Sequence, residues 1–217
     1  MKRNILAFLR TFLFAAFVPA LSLSIVSCGS KKVKAVDLGL SVKWASCNLG
    51  AESPVDYGSY FPWGETTTKS DYSESSNTTY GLSISELESR GIIDSDNNLT
   101  ASYDAAMANW GNDWRMPTQD EVKELVLDCT WSWTTKNGVC GYKVTGPNGN
   151  SIFLPAVGER FGTEVSRRDL CGLYWSGTLR ERNSDKAYYL YFDSGNRDCY
   201  YSGGYRYYGF AVRPVSE

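Results

Sequence analysis

The chain predicts an α+β fold in a single domain. A strong helix start, Thr118-Gln119-Asp120-Glu121, lies near its middle. From Trp131 onward, short β-patterned runs alternate with Gly-, Asn- and Asp-rich turns. The length of 217 residues suits one domain of moderate size, and no repeat of solenoid length is present.

The first segment reads as an address. Lys2, Arg3 and Arg10 precede an uncharged run over 11–30, rich in Leu, Phe, Ala and Val. Basic, then apolar, then small is the layout of a secretory signal. The run ends Ile25-Val26-Ser27-Cys28, which resembles a bacterial lipobox. By that resemblance 1–27 is a lipoprotein signal peptide, Cys28 carries the lipid and 28–35 is a tether. A retained membrane helix is the alternative; Pro19 within the run and Cys28 at its end favour the lipobox. Removing 1–27 leaves 19 basic and 24 acidic residues, net −5. An acidic body excludes nucleic acid as a partner, because its phosphates need Lys and Arg.

Each following element has its own signal. Over 36–45, Val36, Leu38, Leu40, Val42 and Trp44 alternate, which predicts a strand. Residues 48–64 hold Gly50, Pro54, Gly58, Pro62 and Gly64 and read as loop with a short extended piece at 60–63. A polar excursion over 65–100 follows, with a helical turn at 84–90. Ser102 is the expected cap of a helix over 103–109. In the second helix Thr118 and Glu121 form a capping box, and Val122, Leu125, Val126 and Cys129 share one face. Strands are expected at 131–135 and 139–145 around the hairpin signal Lys136-Asn137-Gly138. Further strands are expected at 151–154, 173–178, 187–192 and 209–215.

Six phrases in order carry a family resemblance. They are Asp37-Leu38-Gly39-Leu40-Ser41-Val42-Lys43-Trp44-Ala45, Tyr60-Phe61-Pro62-Trp63-Gly64-Glu65, Trp110-Gly111-Asn112-Asp113-Trp114-Arg115-Met116-Pro117-Thr118, Asn150-Ser151-Ile152-Phe153-Leu154-Pro155-Ala156, Tyr174-Trp175-Ser176 and Gly209-Phe210-Ala211-Val212-Arg213-Pro214-Val215. Over 36–217 the chain resembles the Fibrobacter succinogenes major paralogous domain, common in lipoproteins of gut Bacteroidetes. The resemblance implies a C-type-lectin-like fold with two helices, a mostly antiparallel sheet and termini close together. The first and last strands pair in that fold, which would set 36–45 beside 210–215. It also implies an outer-membrane lipoprotein of the cell envelope, and no known activity. The basic run Lys31, Lys32, Lys34 departs from the acidic run that marks surface export, so the membrane leaflet stays open.

No histidine is present, which removes Ser-His-Asp and Cys-His mechanisms and His-ligated zinc. Five cysteines follow Cys28, an odd number, so at least one thiol is free or pairs between molecules. Formylglycine-generating enzymes share the implied fold but use closely spaced C-terminal cysteines. Here Cys171 and Cys199 lie far apart, so no enzyme, no cofactor and no metal is expected. Asp193 and Asp198 suit glycosidase work only if they flank a cleft. A calcium lectin would need many carboxylate and carbonyl oxygens, and the chain lacks the glutamate-proline-asparagine element. Arg115, Arg213 and Glu65 each suit a ligand or a structural role, and the structural role is expected.

Tyrosine marks the candidate surface. Nine of the 15 Tyr fall between Tyr174 and Tyr208. Alternation over 187–192 puts Tyr188, Leu190 and Phe192 toward the core and Tyr189 and Tyr191 outward. The Tyr, Ser, Gly, Asn, Asp and Arg of 193–207 resemble a paratope in composition. The expected ligand-binding residues are Trp175, Arg180, Tyr189, Tyr191, Arg197, Asp198, Tyr200, Tyr201, Tyr205, Arg206 and Tyr207, taking a glycan or protein ligand. Tyr189, Tyr201 and Tyr207 should be exposed, and Tyr188, Phe210 and Val212 buried. The alternatives are a variable protein of a diversity-generating retroelement, diversified over about 183–207, a structural envelope lipoprotein, and a weakly related enzyme.

Overall fold

The computed structural model describes residues 33–199 and 203–217, with the side chain of Cys199 outside the description. The expected leader, Cys28, Tyr200 and Tyr201 therefore lie outside the described residues. Strands β1 (Ala35–Val36) and β2 (Lys43–Ala45) open the fold. Helices α1 (Ile84–Ser89), α2 (Ala105–Trp110) and α3 (Gln119–Asp128) follow. Then come β3 (Thr130–Lys136), β4 (Val139–Thr145), β5 (Ser151–Pro155), β6 (Glu159–Phe161) and β7 (Glu164–Ser166). The chain ends with β8 (Cys171–Leu179), β9 (Lys186–Asp193), β10 (Arg197–Cys199), β11 (Gly204–Tyr205) and β12 (Val215–Ser216). Among the described residues this is a mixed α/β architecture of mostly antiparallel strands, with three α-helices where two were expected. Among the described residues no helix is long and apolar enough to cross a membrane.

The expected strand over 36–45 is two short strands folded back on each other. Gly39 takes φ 78 and donates its amide to Asp37 Oδ1 at 2.7 Å, which turns the chain. β1 then pairs antiparallel with β2, Val36 opposite Trp44. Leu38, Val42 and Trp44 still reach the core. β2 also pairs with β12, Trp44 opposite Val215, so the first and last strands are neighbours.

The expected strand over 209–215 is mostly a ladder of single bridges. Phe210 bridges Phe61, Ala211 bridges Tyr174, and regular pairing begins only at Val215. Here a backbone inserted between several segments replaces one long strand pair.

Both main helices begin as polar caps dictate, with one change of residue. Thr118 Oγ1 accepts from the Glu121 amide, and Glu121 Oε2 accepts from the Thr118 amide at 2.8 Å. α2 is capped by Asp104 rather than Ser102. The Asp104 carboxylate accepts from Ala106 and Met107 and also from the Met116 amide at 2.8 Å. A carboxylate offers more acceptor sites than a hydroxyl and here ties two segments together.

β9 is the centre of the main sheet, with β8 along one side and β10 and β11 along the other. Both faces are covered. Leu190, Phe192 and Tyr174 join one apolar cluster with Val122 and Leu125 of α3 and with Trp131, Tyr142 and Val144. Ala187, Tyr189, Leu173 and Trp175 join a second with Phe61, Trp63, Ile92 and Phe210. The polar excursion over 65–100 is anchored from within by Tyr72, Leu87, Ile92, Ile93 and Leu99.

Cys47, Cys129, Cys140 and Cys171 are free thiols. Burial pushes the Cys129 and Cys171 thiols up to about 11, so they stay protonated at neutral pH.

Candidate functional site

A cleft of about 370 Å³ opens over the second-cluster side of the main sheet. β8 and β9 supply Leu173, Lys186, Tyr189 and Tyr191 to its lining; β11 and the turn after it supply Gly204, Tyr205 and Tyr208. Glu159 of β6 and Arg167 beyond β7 complete one side.

The floor is a stack of large rings. Trp175 lies on Phe210 with centroids 4.1 Å apart, and its Nε1 donates to Phe61 O at 2.9 Å. Gly204 lets β11 cross directly over this stack, since a Cβ there would meet the Phe210 ring at 2.8 Å.

The rim is aromatic and partly exposed. Tyr205 stacks on Tyr207 at 5.5 Å, and Tyr208 meets Tyr207 edge-on at 4.9 Å. Tyr80 approaches Tyr207 at 5.0 Å, and Phe161 approaches Tyr208 at 5.4 Å. Phe161 is 57% exposed and Tyr205 36%. Five rings from three chain segments thus form one surface beside the cleft. Edge-to-face packing of this kind fixes ring orientation while leaving area open to a ligand.

Polar groups are placed among the rings. Lys186 Nζ stands over the Tyr205 ring, 4.5 Å from its centroid. The Tyr191 hydroxyl donates to Asp193 Oδ2 at 2.9 Å and accepts from Arg167 Nη2 at 3.1 Å. Arg167 also meets Glu159 at 3.5 Å. Burial, then the bond to Asp193, pushes the Tyr191 hydroxyl up. Burial, then Tyr208, does the same to Tyr207. Both remain hydrogen-bond donors at neutral pH.

The eleven expected ligand residues fare differently. Tyr191 and Tyr205 line the cleft, and half-buried Tyr207 belongs to its rim. Tyr189 also lines it but is only 9% exposed, because the face opposite Leu190 is covered too; its expected exposure is corrected. Tyr188, expected in the core, is half-buried, while Phe210 and Val212 are buried as expected. Trp175 is 0% exposed and belongs to the core beneath the cleft, not to its surface. Arg206 is likewise 0% exposed, with its guanidinium 5.7 Å from the Trp63 ring. Its Nε and Nη1 have no partner among the described residues, and burial pulls the group down to about 10. Arg180 is half-buried at the start of the β8–β9 connection, its amide bonded to Lys186 O. Asp198, opposite Tyr191, is exposed on the cleft side of the sheet; Arg197, opposite Phe192, belongs to the other side. Asp193 is occupied by Gly195, Asn196 and Tyr191.

The structural arginines are satisfied. Arg115 forks onto Glu121 at 2.8 and 2.6 Å and reaches Glu217 at 2.9 Å. Arg213 is buried without a carboxylate and donates to Asn48 Oδ1, Ala45 O and Phe153 O. Glu65 accepts from the Thr78 amide and pairs with Lys69, so it organises its loop.

Sequence reasoning missed Tyr80, Glu159, Phe161, Arg167, Lys186 and Tyr208. The one available sign was Phe161, a lone large apolar residue in the polar run Glu159-Arg160-Phe161-Gly162-Thr163-Glu164. No protein family, no curated protein and no solved structure matches this chain.

Proposed function

We propose that this chain is a lipid-anchored module of the cell envelope that binds a glycan through its C-terminal tyrosine surface, without calcium. The observation that carries the reading is the convergence of Tyr80, Phe161, Tyr205, Tyr207 and Tyr208 beside one cleft, two of them substantially exposed. A saccharide ring is apolar on one face and ringed by hydroxyls. Aromatic faces suit the first, and fixed Tyr, Lys and Arg donors suit the second. Glu159 is the one carboxylate among the described lining residues, whereas hydrolysis by paired carboxylates needs two. The pairing of β2 with β12 supports a C-type-lectin-like fold, in which first and last strands meet.

A glycan panel titrated against the purified full chain in detergent tests the reading. Saturable binding that quenches tyrosine and tryptophan emission, unchanged by calcium or chelator, is expected. No binding to any saccharide would leave a structural lipoprotein.

A further inference from the structure

We propose that the saccharide taken by this cleft carries a carboxylate, which Lys186 receives; the inference rests on the glycan-binding reading above. Lys186 is the first residue of β9 and lies opposite Tyr205 in register, so the two side chains are neighbours, and both line the cleft. Its ammonium stands over the Tyr205 ring, and no carboxylate among the described residues lies within ion-pair distance of it. Arg167 supplies a second cation across the cleft, held by Glu159 and the Tyr191 hydroxyl. The described lining therefore carries two cations against one carboxylate, in a chain whose overall charge is −2.

Resting over an aromatic ring is a weak arrangement for an ammonium at a partly exposed site. A ligand carboxylate offers a charge-assisted hydrogen bond, which is stronger. Drawing Lys186 onto that carboxylate also uncovers the Tyr205 ring for the sugar's apolar face. An acidic sugar thus meets both halves of the site, while a neutral sugar competes with Lys186 for the ring.

Two matched probe pairs test this on the full chain in detergent. They are oligogalacturonate with its methyl ester, and sialyllactose with lactose. The acidic member of at least one pair should bind about tenfold or more tighter, consistent with a hydrogen bond to a charged group. That margin should shrink as salt rises from about 0.05 to 0.5 M, since the pair is partly exposed. Lys186→Gln should erase the margin between the acidic and neutral probes, and Arg167→Gln should reduce it. Melting curves confirm that each variant is folded. Equal binding of acid and neutral forms overturns the inference and leaves the glycan reading standing. Binding of neither form in both pairs also overturns it, and the wider glycan panel then decides the reading itself.

Discussion

Every residue from Gly209 to Val215 is buried, whereas the stretch just before it keeps Tyr205 exposed and Tyr207 and Tyr208 half-buried. The two stretches adjoin in sequence and share a taste for aromatic and basic residues. Their bonding separates them. The buried stretch is stitched into the fold: Phe210 to Phe61, Ala211 to Leu173, Val215 to Arg115, and Arg213 to three separate acceptors. The tyrosines of the earlier stretch stack on one another and on Tyr80 and Phe161 at the surface. The contrast teaches that an aromatic-rich tail serves two ends here. One part closes the domain, and the other leaves ring area that the fold does not consume.

Substitutions along the tail should separate the two parts by size of effect. Arg213→Met should be the most damaging. It strips donors from Asn48 Oδ1, Ala45 O and Phe153 O in a dry interior, at a cost of about 3 kcal/mol or more in chemical denaturation. A loss below about 1 kcal/mol would mean that Arg213 is not a closing bolt.

The α3 cap comes next. Thr118→Ala should cost about 1 kcal/mol by the same measurement. Burial works to raise the Glu121 carboxyl, but Arg115 and the Thr118 amide and hydroxyl outweigh it and hold the group below its ordinary value. A depressed carboxyl lends stability above its unfolded value of about 4.3 and withdraws it as pH falls through the folded value. Acid melts should show that loss, and Glu121→Gln should flatten it. An unchanged acid limb would contradict the assignment.

Phe161→Ala and Tyr205→Ala should be the mildest for stability, within about 0.5 kcal/mol, because exposed rings lose little on truncation. Their effect should appear in binding instead.

Much of this fold was legible because its signals are local. The Thr118 capping box, the Asn137-Gly138 turn and the alternation of Leu190 and Phe192 each act over a few residues. The site was legible only in part. Composition located the tyrosine stretch, and register correctly put Tyr189 and Tyr191 on one face. Register does not reveal that this face is also covered, which is why Trp175 lies in the core beneath the cleft and not on its surface. Burial on both faces depends on distant segments such as 61–63 and 92–93, which no local pattern announces. Phe161 and Tyr80 were missed for the same reason: each reaches the site from a hairpin or loop remote in sequence.

The central claim is that the exposed rings bind and the fold does not need them. The most direct test titrates the glycan panel against the full chain and a Phe161→Ala, Tyr205→Ala double variant, with melting curves for both. The account predicts melting temperatures within about 2 °C of each other and binding weakened at least about tenfold in the variant. Full binding by the variant, or its unfolding, would contradict the account.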